Sequence, residues 1–137
     1  MELGLKRIIT SGKRKRAVAR AVVLSGNGKV TINGIPYERL QFFDKLKIEE
    51  PIRIAKNMIG ELGFNIVVTA RGGGEKGQIE ASRVAISRAI VAATKNKELE
   101  RAFIEYDRNL LVADVRRKEA YKPGDSKARR KRQTSYR

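Results

Sequence analysis

Residues 64–95 read FNIVVTARGGGEKGQIEASRVAISRAIVAATK, and this stretch decides the fold. Its first eight residues place apolar side chains at every second position, which predicts a strand with one buried face. Four side chains would face the core (Phe64, Ile66, Val68 and Ala70), and the four between them would face outward. A long helix is expected from about Gln78 to Lys95, because isoleucines recur there at helical spacing and alanines allow close packing on a sheet.

Two apolar runs lie before this unit. Residues 17–24 (AVARAVVL) are aliphatic and residues 29–33 (KVTIN) alternate, so both predict strands. The turn between them, SGNG at residues 25–28, tolerates positive φ, and the three segments together predict a β-hairpin. Arg20 interrupts the first run, so the face or edge around it is expected to be wet or occupied by a ligand.

A short helical piece is expected after Pro36, and a longer helix is expected to begin near Pro51. Proline suits the first position of a helix, and the two glutamates that precede it favour the positive end of the helix dipole. The apolar stripe of this helix includes Met58, which we interpret as core filler. Gly60 or Gly63 would end the helix.

The part of the chain after residue 95 predicts a shorter helix and a packed end. Its helix would bury Leu99, Ala102, Phe103 and Tyr106, which recur at helical spacing. Residues 110–112 would form either a final strand or a packed extended piece. The order strand, strand, helix, strand, helix, helix favours an α/β protein of the two-layer α+β type, with helices packed on one face of a small sheet.

Positive charge is concentrated at the two ends of the chain. The formal net charge is +16, and residues 116–137 (RRKEAYKPGDSKARRKRQTSYR) carry +8 of it, from ten basic and two acidic residues. We expect a basic N-terminal arm at residues 1–16, a globular domain at residues 17–115 that anchors both arms on a polyanion, and an extended basic tail at residues 116–137. The tail is too poor in apolar residues to fold alone and is expected to become ordered on a polyanion.

The composition excludes several kinds of site. The chain has no Cys and no His, so disulfides, zinc sites of the usual kind and histidine-based acid–base catalysis are excluded. No apolar run approaches the roughly 20 residues of a membrane span, and the first residues lack the apolar core of a signal peptide. We expect a cytoplasmic protein with no cofactor, no metal and no small-molecule substrate. RNA or DNA is the favoured polyanion, because the tail has no apolar face to insert into a membrane.

The glycine-rich loop admits more than one interpretation. Gly72, Gly74 and Gly77 match G-x-G-x-x-G between a strand and a helix, which is the context of a dinucleotide-binding fingerprint. No second strand that ends in an acid follows the helix, so a nucleotide-binding enzyme is disfavoured. Two interpretations remain open. The loop grips an RNA backbone, with Arg71 before it and Arg83 and Arg88 one and two turns beyond it, or it is a tight turn without a ligand.

The basic and glycine-rich motifs together resemble the ninth small-subunit ribosomal protein family. The resemblance rests on residues 12–15 (GKRK), 26–29 (GNGK), 71–74 (RGGG), 83–89 (RVAISRA), 114–116 (DVR), 127–130 (KARR) and 133–137 (QTSYR). The Ser-Tyr-Arg ending is typical of archaeal and eukaryotic members, and the compact length favours the archaeal type. The alternative is a general nucleic-acid-binding or chromatin protein, which would bind DNA and RNA duplexes with comparable affinity.

The resemblance implies a roughly four-stranded sheet with a left-handed β-α-β crossover, in the head of the small ribosomal subunit beside neighbouring head proteins. It implies no catalytic residue. The positions expected to contact ribosomal RNA are Lys13, Arg14, Lys15, Arg16, Arg20, Arg71, Gly72, Gly73, Gly74, Arg83, Arg88, Arg116, Arg117, Lys118, Lys122, Lys127, Arg129, Arg130, Lys131 and Arg132. The tail would reach the anticodon stem-loop of the peptidyl-site transfer RNA, which Ser135, Tyr136 and Arg137 would contact.

Overall fold

The structure is a computed structural model and describes residues 7–121, 123 and 135. Its described part contains five strands, three α-helices and two short 3₁₀ helices. The strands are β1 (Ile8–Arg14), β2 (Ala17–Ser25), β3 (Val30–Ile32), β4 (Ile35–Pro36) and β5 (Phe64–Arg71). The α-helices are α1 (Phe42–Ile59), α2 (Glu75–Thr94) and α3 (Lys97–Tyr106), and the 3₁₀ helices span Tyr37–Arg39 and Arg108–Leu110.

The mixed five-stranded sheet has the order β1-β2-β5-β3-β4. Strand β5 confirms both the bounds and the faces predicted from its alternation: Ile66, Val68 and Ala70 are buried, and Phe64 packs against the core. β3 and β5 pair in parallel, and α1 lies between them in the chain, so a β-α-β connection links them. The α+β class is confirmed, with one strand more than the four expected.

The predicted hairpin between β2 and β3 is wrong, because β5 lies between them in the sheet. β2 forms eight antiparallel pairs with β5, from Val18–Arg71 to Ser25–Phe64, whereas β3 forms only three pairs with the other edge of β5. A three-residue strand offers fewer cross-strand partners than β5 does. β2 therefore pairs with β5 rather than with β3, although the turn at residues 25–28 would suit a hairpin.

Strand β1 was not predicted, and it takes residues 8–14 out of the expected N-terminal arm. It pairs with β2 along its whole length, from Ile8–Val23 to Arg14–Ala17, and forms one edge of the sheet. Gly12 is buried against α2, where an added Cβ would lie 2.3 Å from the carbonyl oxygen of Ala81. This glycine lets the strand approach the helix, although glycine and the basic cluster after it are unusual in a strand.

Helix α1 begins at Phe42, nine residues before the predicted start near Pro51. Pro51 lies buried inside the helix rather than at its first position, so the prediction of a helix start at this proline is wrong. Met58 is 43% exposed and is not core filler. The helix ends as predicted at Gly60, whose φ of 80° suits glycine.

Helix α2 begins three residues earlier than predicted, directly after Gly74, and buries Ile79, Ile86 and Ile90 as expected. In α3 the side chain of Asn96 caps the first turn by accepting hydrogen bonds from the N–H groups of Glu98 and Leu99. Leu99 and Phe103 are fully buried as predicted, but Tyr106 is 57% exposed. Residues 110–112 form no strand, because Leu110 ends a 3₁₀ helix and packs into the core.

The core lies between one face of the sheet and the helices. Ala17, Ala19 and Ala21 of β2 are fully buried, and their small side chains let α2 lie close to the sheet. The alternate positions of β2 and β5 are exposed or half-buried, so the opposite face is open in the part of the chain that the structure describes. No helix among the described residues has the length and apolar character that a membrane crossing needs.

Candidate nucleic-acid interface

The predicted RNA-contacting cations that precede the tail fall into two groups in the structure. Arg14, Arg83 and Arg88 are engaged inside the molecule by ion pairs or hydrogen bonds. Lys13, Lys15, Arg16, Arg20 and Arg71 are exposed, and their side chains make no hydrogen bond or ion pair within the described residues. Sequence alone could not separate these groups, because the partners of the engaged arginines lie far away in the chain.

Arg14 joins the sheet to α2 and to the segment that follows the second 3₁₀ helix. Its Nε lies 2.7 Å from Glu80 Oε2 and its Nη1 lies 2.5 Å from Asp114 Oδ2. Partial burial of Glu80 opposes its ionisation, but the hydrogen bond and charge of Arg14, with the charge of Lys47, outweigh that effect and lower the pKa of this carboxyl. The Arg14 side chain is only 16% exposed, so its main role is to stabilise these contacts within the protein.

Arg83 and Arg88, both on α2, also bind within the molecule. Arg83 donates to Glu50 on α1 and, at 3.3 Å, to Asp107 after α3, and so ties three helices together. Arg88 donates from Nε to the carbonyl oxygen of Leu111 and from Nη1 to that of Ser11, both at 2.8 Å. These contacts give both arginines a structural role that was not predicted from the sequence.

The glycine loop packs directly on the turn between β1 and β2. Gly72 and Gly73 have φ of 74° and 60°, and a Cβ on Gly72 would lie 2.7 Å from the carbonyl oxygen of Arg16. Gln78 closes the loop by donating from Nε2 to the Gly72 carbonyl oxygen at 3.1 Å. The glycines are thus required for a tight turn, and that turn brings the start of α2 beside the basic Lys15-Arg16 pair.

A groove of about 1030 Å³ lies where these two loops meet. It is bordered by the β1–β2 turn, by the first turn of α2 and by the segment that begins the tail. We call it the basic groove, because seven of its lining side chains are cationic and two are acidic. The cations are Arg14, Lys15, Arg16, Lys76, Arg116, Arg117 and Lys118, and the acids are Glu75 and Glu80.

Lys76 is a groove cation that was not predicted from the sequence. Its Nζ lies 2.7 Å from Asp44 Oδ1, a carboxylate buried at the start of α1, and 3.2 Å from Gln41 Oε1. The side chain remains 59% exposed, so its charge faces the groove as well. The sequence does contain a signal for this role, because Lys76 lies between two glycines of the loop and just before the predicted helix.

Asp114 fixes the segment that carries the tail toward the groove. Arg116 donates to it from Nε at 2.9 Å and from Nη2 at 2.7 Å, and the backbone N–H of Arg116 donates at 2.9 Å. The side-chain hydrogen bonds of Arg116, followed by its N–H and by the charges of Arg116 and Arg14, hold the pKa of Asp114 well below its usual range. The sequence motif at residues 114–116 does not by itself predict this role for Asp114.

The first tail cations beyond Arg116 are exposed. Arg117 donates from Nη1 to the carbonyl oxygens of Asp114 and Arg116, both at 3.0 Å. The Lys118 ammonium lies 5.4 Å from the centre of the Tyr121 ring. Of the tail positions predicted from the sequence, Ser135 is exposed, and the others lie outside the described residues: Lys122, Lys127, Arg129, Arg130, Lys131, Arg132, Tyr136 and Arg137.

The geometry gives little support to the two alternative kinds of site, a dinucleotide-binding site and a metal site. Helix α2 leads into α3 rather than into a second strand, so the strand that a dinucleotide-binding unit requires does not follow it. Within residues 7–121, 123 and 135, no group of three or more acidic side chains could hold a metal ion. The arrangement suits an extended polyanion that lies in the basic groove.

Comparison with known proteins identifies the family. A sequence model described as ribosomal protein S9/S16 matches residues 12–137. The small ribosomal subunit protein uS9 of Thermoplasma volcanium is 50% identical over 132 residues, 95% of this chain and 98% of that protein. The uS9 proteins of Thermoplasma acidophilum and Methanococcus vannielii are 51% and 40% identical, over 95% and 97% of this chain and the whole of each relative. The chain therefore belongs to the ribosomal protein S9/S16 family.

Proposed function

We propose that this chain binds small-subunit ribosomal RNA through its basic groove and that its last residues contact peptidyl-site transfer RNA. Family membership supports the wider role. Members are structural, non-enzymatic constituents of the small ribosomal subunit, in association with ribosomal RNA and other ribosomal proteins in the cytoplasm. The archaeal relatives agree with the archaeal type expected from the Ser-Tyr-Arg ending.

One observation carries the RNA-binding proposal: three separate basic or glycine-rich motifs border a single groove. Lys15 and Arg16 are exposed at its edge and have no ion pair to break among the described residues. A phosphate that approaches them displaces only water and counterions, so neither cation loses a partner on binding. Arg117 and Lys118 also line this groove, so an RNA backbone that lies in it would meet two basic segments of the chain.

Besides the positive charge of the groove, the glycine loop would let an RNA phosphate approach the protein backbone closely. Gly74 precedes the first turn of α2 and has open space where a side chain would stand. The N–H groups of the first helical turn have no partner within the helix, and they favour anions together with the helix dipole. An RNA phosphate in the groove would therefore meet backbone donors as well as cationic side chains.

The groove is tested by removing charge from the β1–β2 turn. In a double variant, Lys15→Gln with Arg16→Gln, the slope of log affinity for small-subunit ribosomal RNA against log salt should fall by about 1.4–1.8, since each lost phosphate contact removes about 0.7–0.9. The matched control is Lys97→Gln with Arg101→Gln, which removes two exposed cations of α3 that do not line the groove. An equal reduction in both variants would mean that only net charge matters and would contradict the proposal.

The transfer RNA contact rests on the resemblance of the tail and on the family match, which extends to residue 137. Removing residues 133–137 deletes one cation, Arg137, and leaves the basic groove and most of the tail charge in place. Assembly of the subunit should therefore remain nearly intact, while retention of transfer RNA at the peptidyl site weakens. Equal transfer RNA affinity in truncated and intact subunits would exclude this role.

A further inference from the structure

The uncovered face of the sheet carries a second, distinct surface. We call it the open face, and the strand register arranges its side chains in rows. Lys13, Val18 and Arg71 form one row across β1, β2 and β5. Ser11, Arg20 and Thr69 form the next row, and Ile9, Val22 and Val67 form the third, which Thr31 of β3 extends. The face therefore changes from basic at the glycine-loop end to aliphatic at the other end.

The charge of the open face has one sign. None of the five strands contains an acidic residue, so no carboxylate neutralises the face from within the sheet. Lys13, Arg20 and Arg71 are all exposed, and no ion pair or hydrogen bond engages them in the part of the chain that the structure describes. Three free cations without a nearby acid on the sheet complement a polyanion.

We propose that the open face binds double-stranded ribosomal RNA across its minor groove. This inference rests on the proposed function and adds a second RNA surface to the basic groove. The minor groove of an A-form helix is wide and shallow and displays 2′-hydroxyls, so a broad sheet face can lie against it. The hydroxyls of Ser11, Thr69 and Thr31 supply partners for those 2′-hydroxyls, and Arg20 and Arg71 reach the flanking phosphates.

The side chains of the open face favour a duplex over the other possible occupants. Single-stranded RNA is usually held by aromatic side chains that stack on its bases, and the open face of β1, β2, β3 and β5 has none. The core of a protein–protein interface is typically depleted in charge and enriched in aromatic residues. Here the middle row is formed by Ser11, Arg20 and Thr69, which fits recognition of a sugar–phosphate surface.

Because the chain has no cysteine, one introduced cysteine can carry an iron–EDTA hydroxyl-radical probe at a known position in assembled subunits. Thr69→Cys places the probe at the centre of the open face, and Lys15→Cys places it at the basic groove. Glu105→Cys, exposed on α3, gives the background from an unrelated surface. Thr69 is an exposed strand residue, so cysteine should preserve the fold, and incorporation into subunits verifies this.

From Thr69→Cys we expect cuts in both strands of one paired RNA region, offset as two backbones across a minor groove would be. Cuts from Lys15→Cys without cuts from Thr69→Cys, or cuts from Thr69→Cys only in unpaired RNA, would overturn the open-face proposal and leave the proposed function standing. If neither position gives cuts above those from Glu105→Cys, both the open-face proposal and the groove proposal fail.

A charge variant gives an independent measurement. Replacing Arg20 and Arg71 by Gln should lower the salt slope of binding to a fully paired RNA duplex by about 1.4–1.8, since two phosphate contacts are lost. The affinity for a single-stranded RNA of the same length should change much less. Equal losses for the paired and the single-stranded RNA would contradict recognition of a duplex by this face.

Discussion

Arg14 and Asp114 stand 100 positions apart in the chain, and their side chains meet at 2.5 Å. Arg14 is the last residue of the edge strand β1, and Asp114 lies just before the basic tail. The same carboxylate binds Arg116 at 2.7 Å. The contact therefore joins the end of the first basic motif to the beginning of the last one, and sets the point at which the tail leaves the domain.

Acid should release this contact. Arg116 and Arg14 lower the pKa of Asp114 in the folded protein, so the ionised carboxylate contributes stability that is fully present above the unfolded pKa of about 4. That contribution is lost as the pH falls through the lower folded pKa, and Glu80, whose pKa is also lowered, adds a loss in the same direction. Backbone ¹⁵N relaxation should therefore show residues 112–118 still ordered at about pH 4 and becoming mobile only at more acidic pH, where the carboxyl of Asp114 becomes protonated in the folded protein.

The control for this prediction is Asp114→Asn. The amide keeps the size of the side chain but has no charge, so residues 112–118 should already be mobile near neutral pH. Their mobility should then change little with acid. If the wild-type segment and the Asn variant show the same relaxation at pH 7, the carboxylate does not hold the start of the tail.

Arg83 and Arg71 should separate stability from RNA binding. Arg83→Met removes a largely buried guanidinium that binds Glu50 and Asp107, and should lower the free energy of unfolding by about 1–3 kcal/mol. Arg71→Gln removes an exposed cation without an ion pair among the described residues, and should change stability by no more than about 0.5 kcal/mol. Urea denaturation measures both changes.

RNA binding gives the opposite order for these two variants. Arg71→Gln should weaken the binding of ribosomal RNA, while Arg83→Met should leave it nearly unchanged under conditions in which the variant is folded. A large loss of RNA affinity in folded Arg83→Met protein would show that this guanidinium leaves its carboxylates to bind phosphate.

Gly12 should tolerate no side chain. An added Cβ would lie 2.3 Å from the carbonyl oxygen of Ala81 and 2.8 Å from the backbone nitrogen of Ala85. Both atoms belong to the backbone of α2, so β1 must move away, and we expect Gly12→Ala to cost about 1–3 kcal/mol. Gly63→Ala is the control, because nothing lies within 4 Å of its Cβ position. Thermal unfolding should show a lower Tm for the first variant, and equal Tm values would contradict this packing.

The fold could be predicted where a local pattern coincides with the tertiary contacts. In β5 every second side chain meets the core, so alternation alone was sufficient. β1 was not predicted because its sequence has no local strand signal. Glycine is required at position 12 because β1 approaches α2 closely there, which is a tertiary constraint. The start of α1 was misplaced because Pro51, a frequent first residue of helices, lies within this one.

The motifs of the candidate site could be predicted from the sequence, but their arrangement around one groove could not. The basic cluster and the tail were identified from their charge and the glycine loop from its spacing, and the structure brings their described parts to one groove. Which arginines are free depends on long-range partners, since Arg14 and Arg88 bind groups 66 and 77 positions away. Composition treats all arginines alike, and only folding distinguishes a structural guanidinium from one that is available to RNA.

The turn that was misread as a hairpin gives the last prediction. The side-chain oxygen of Asn65 accepts hydrogen bonds from the N–H groups of Asn27, Gly28 and Lys29 at 3.0, 3.2 and 2.9 Å. Asn65 lies on β5, so the strand that separates β2 from β3 also shapes the chain that joins them. Asn65→Ala would leave three donors without this acceptor and should lower the free energy of unfolding by about 1–3 kcal/mol.

Asn65→Asp is the matched control, because it retains an oxygen acceptor and all three partners are donors. Urea denaturation should therefore place Asn65→Asp close to the wild type and well above Asn65→Ala. If both variants lose the same stability, the amide nitrogen or the packing against Gly26 matters, rather than the three hydrogen bonds. If neither loses stability, the turn between β2 and β3 keeps its shape without β5, and local turn chemistry is then sufficient to hold it.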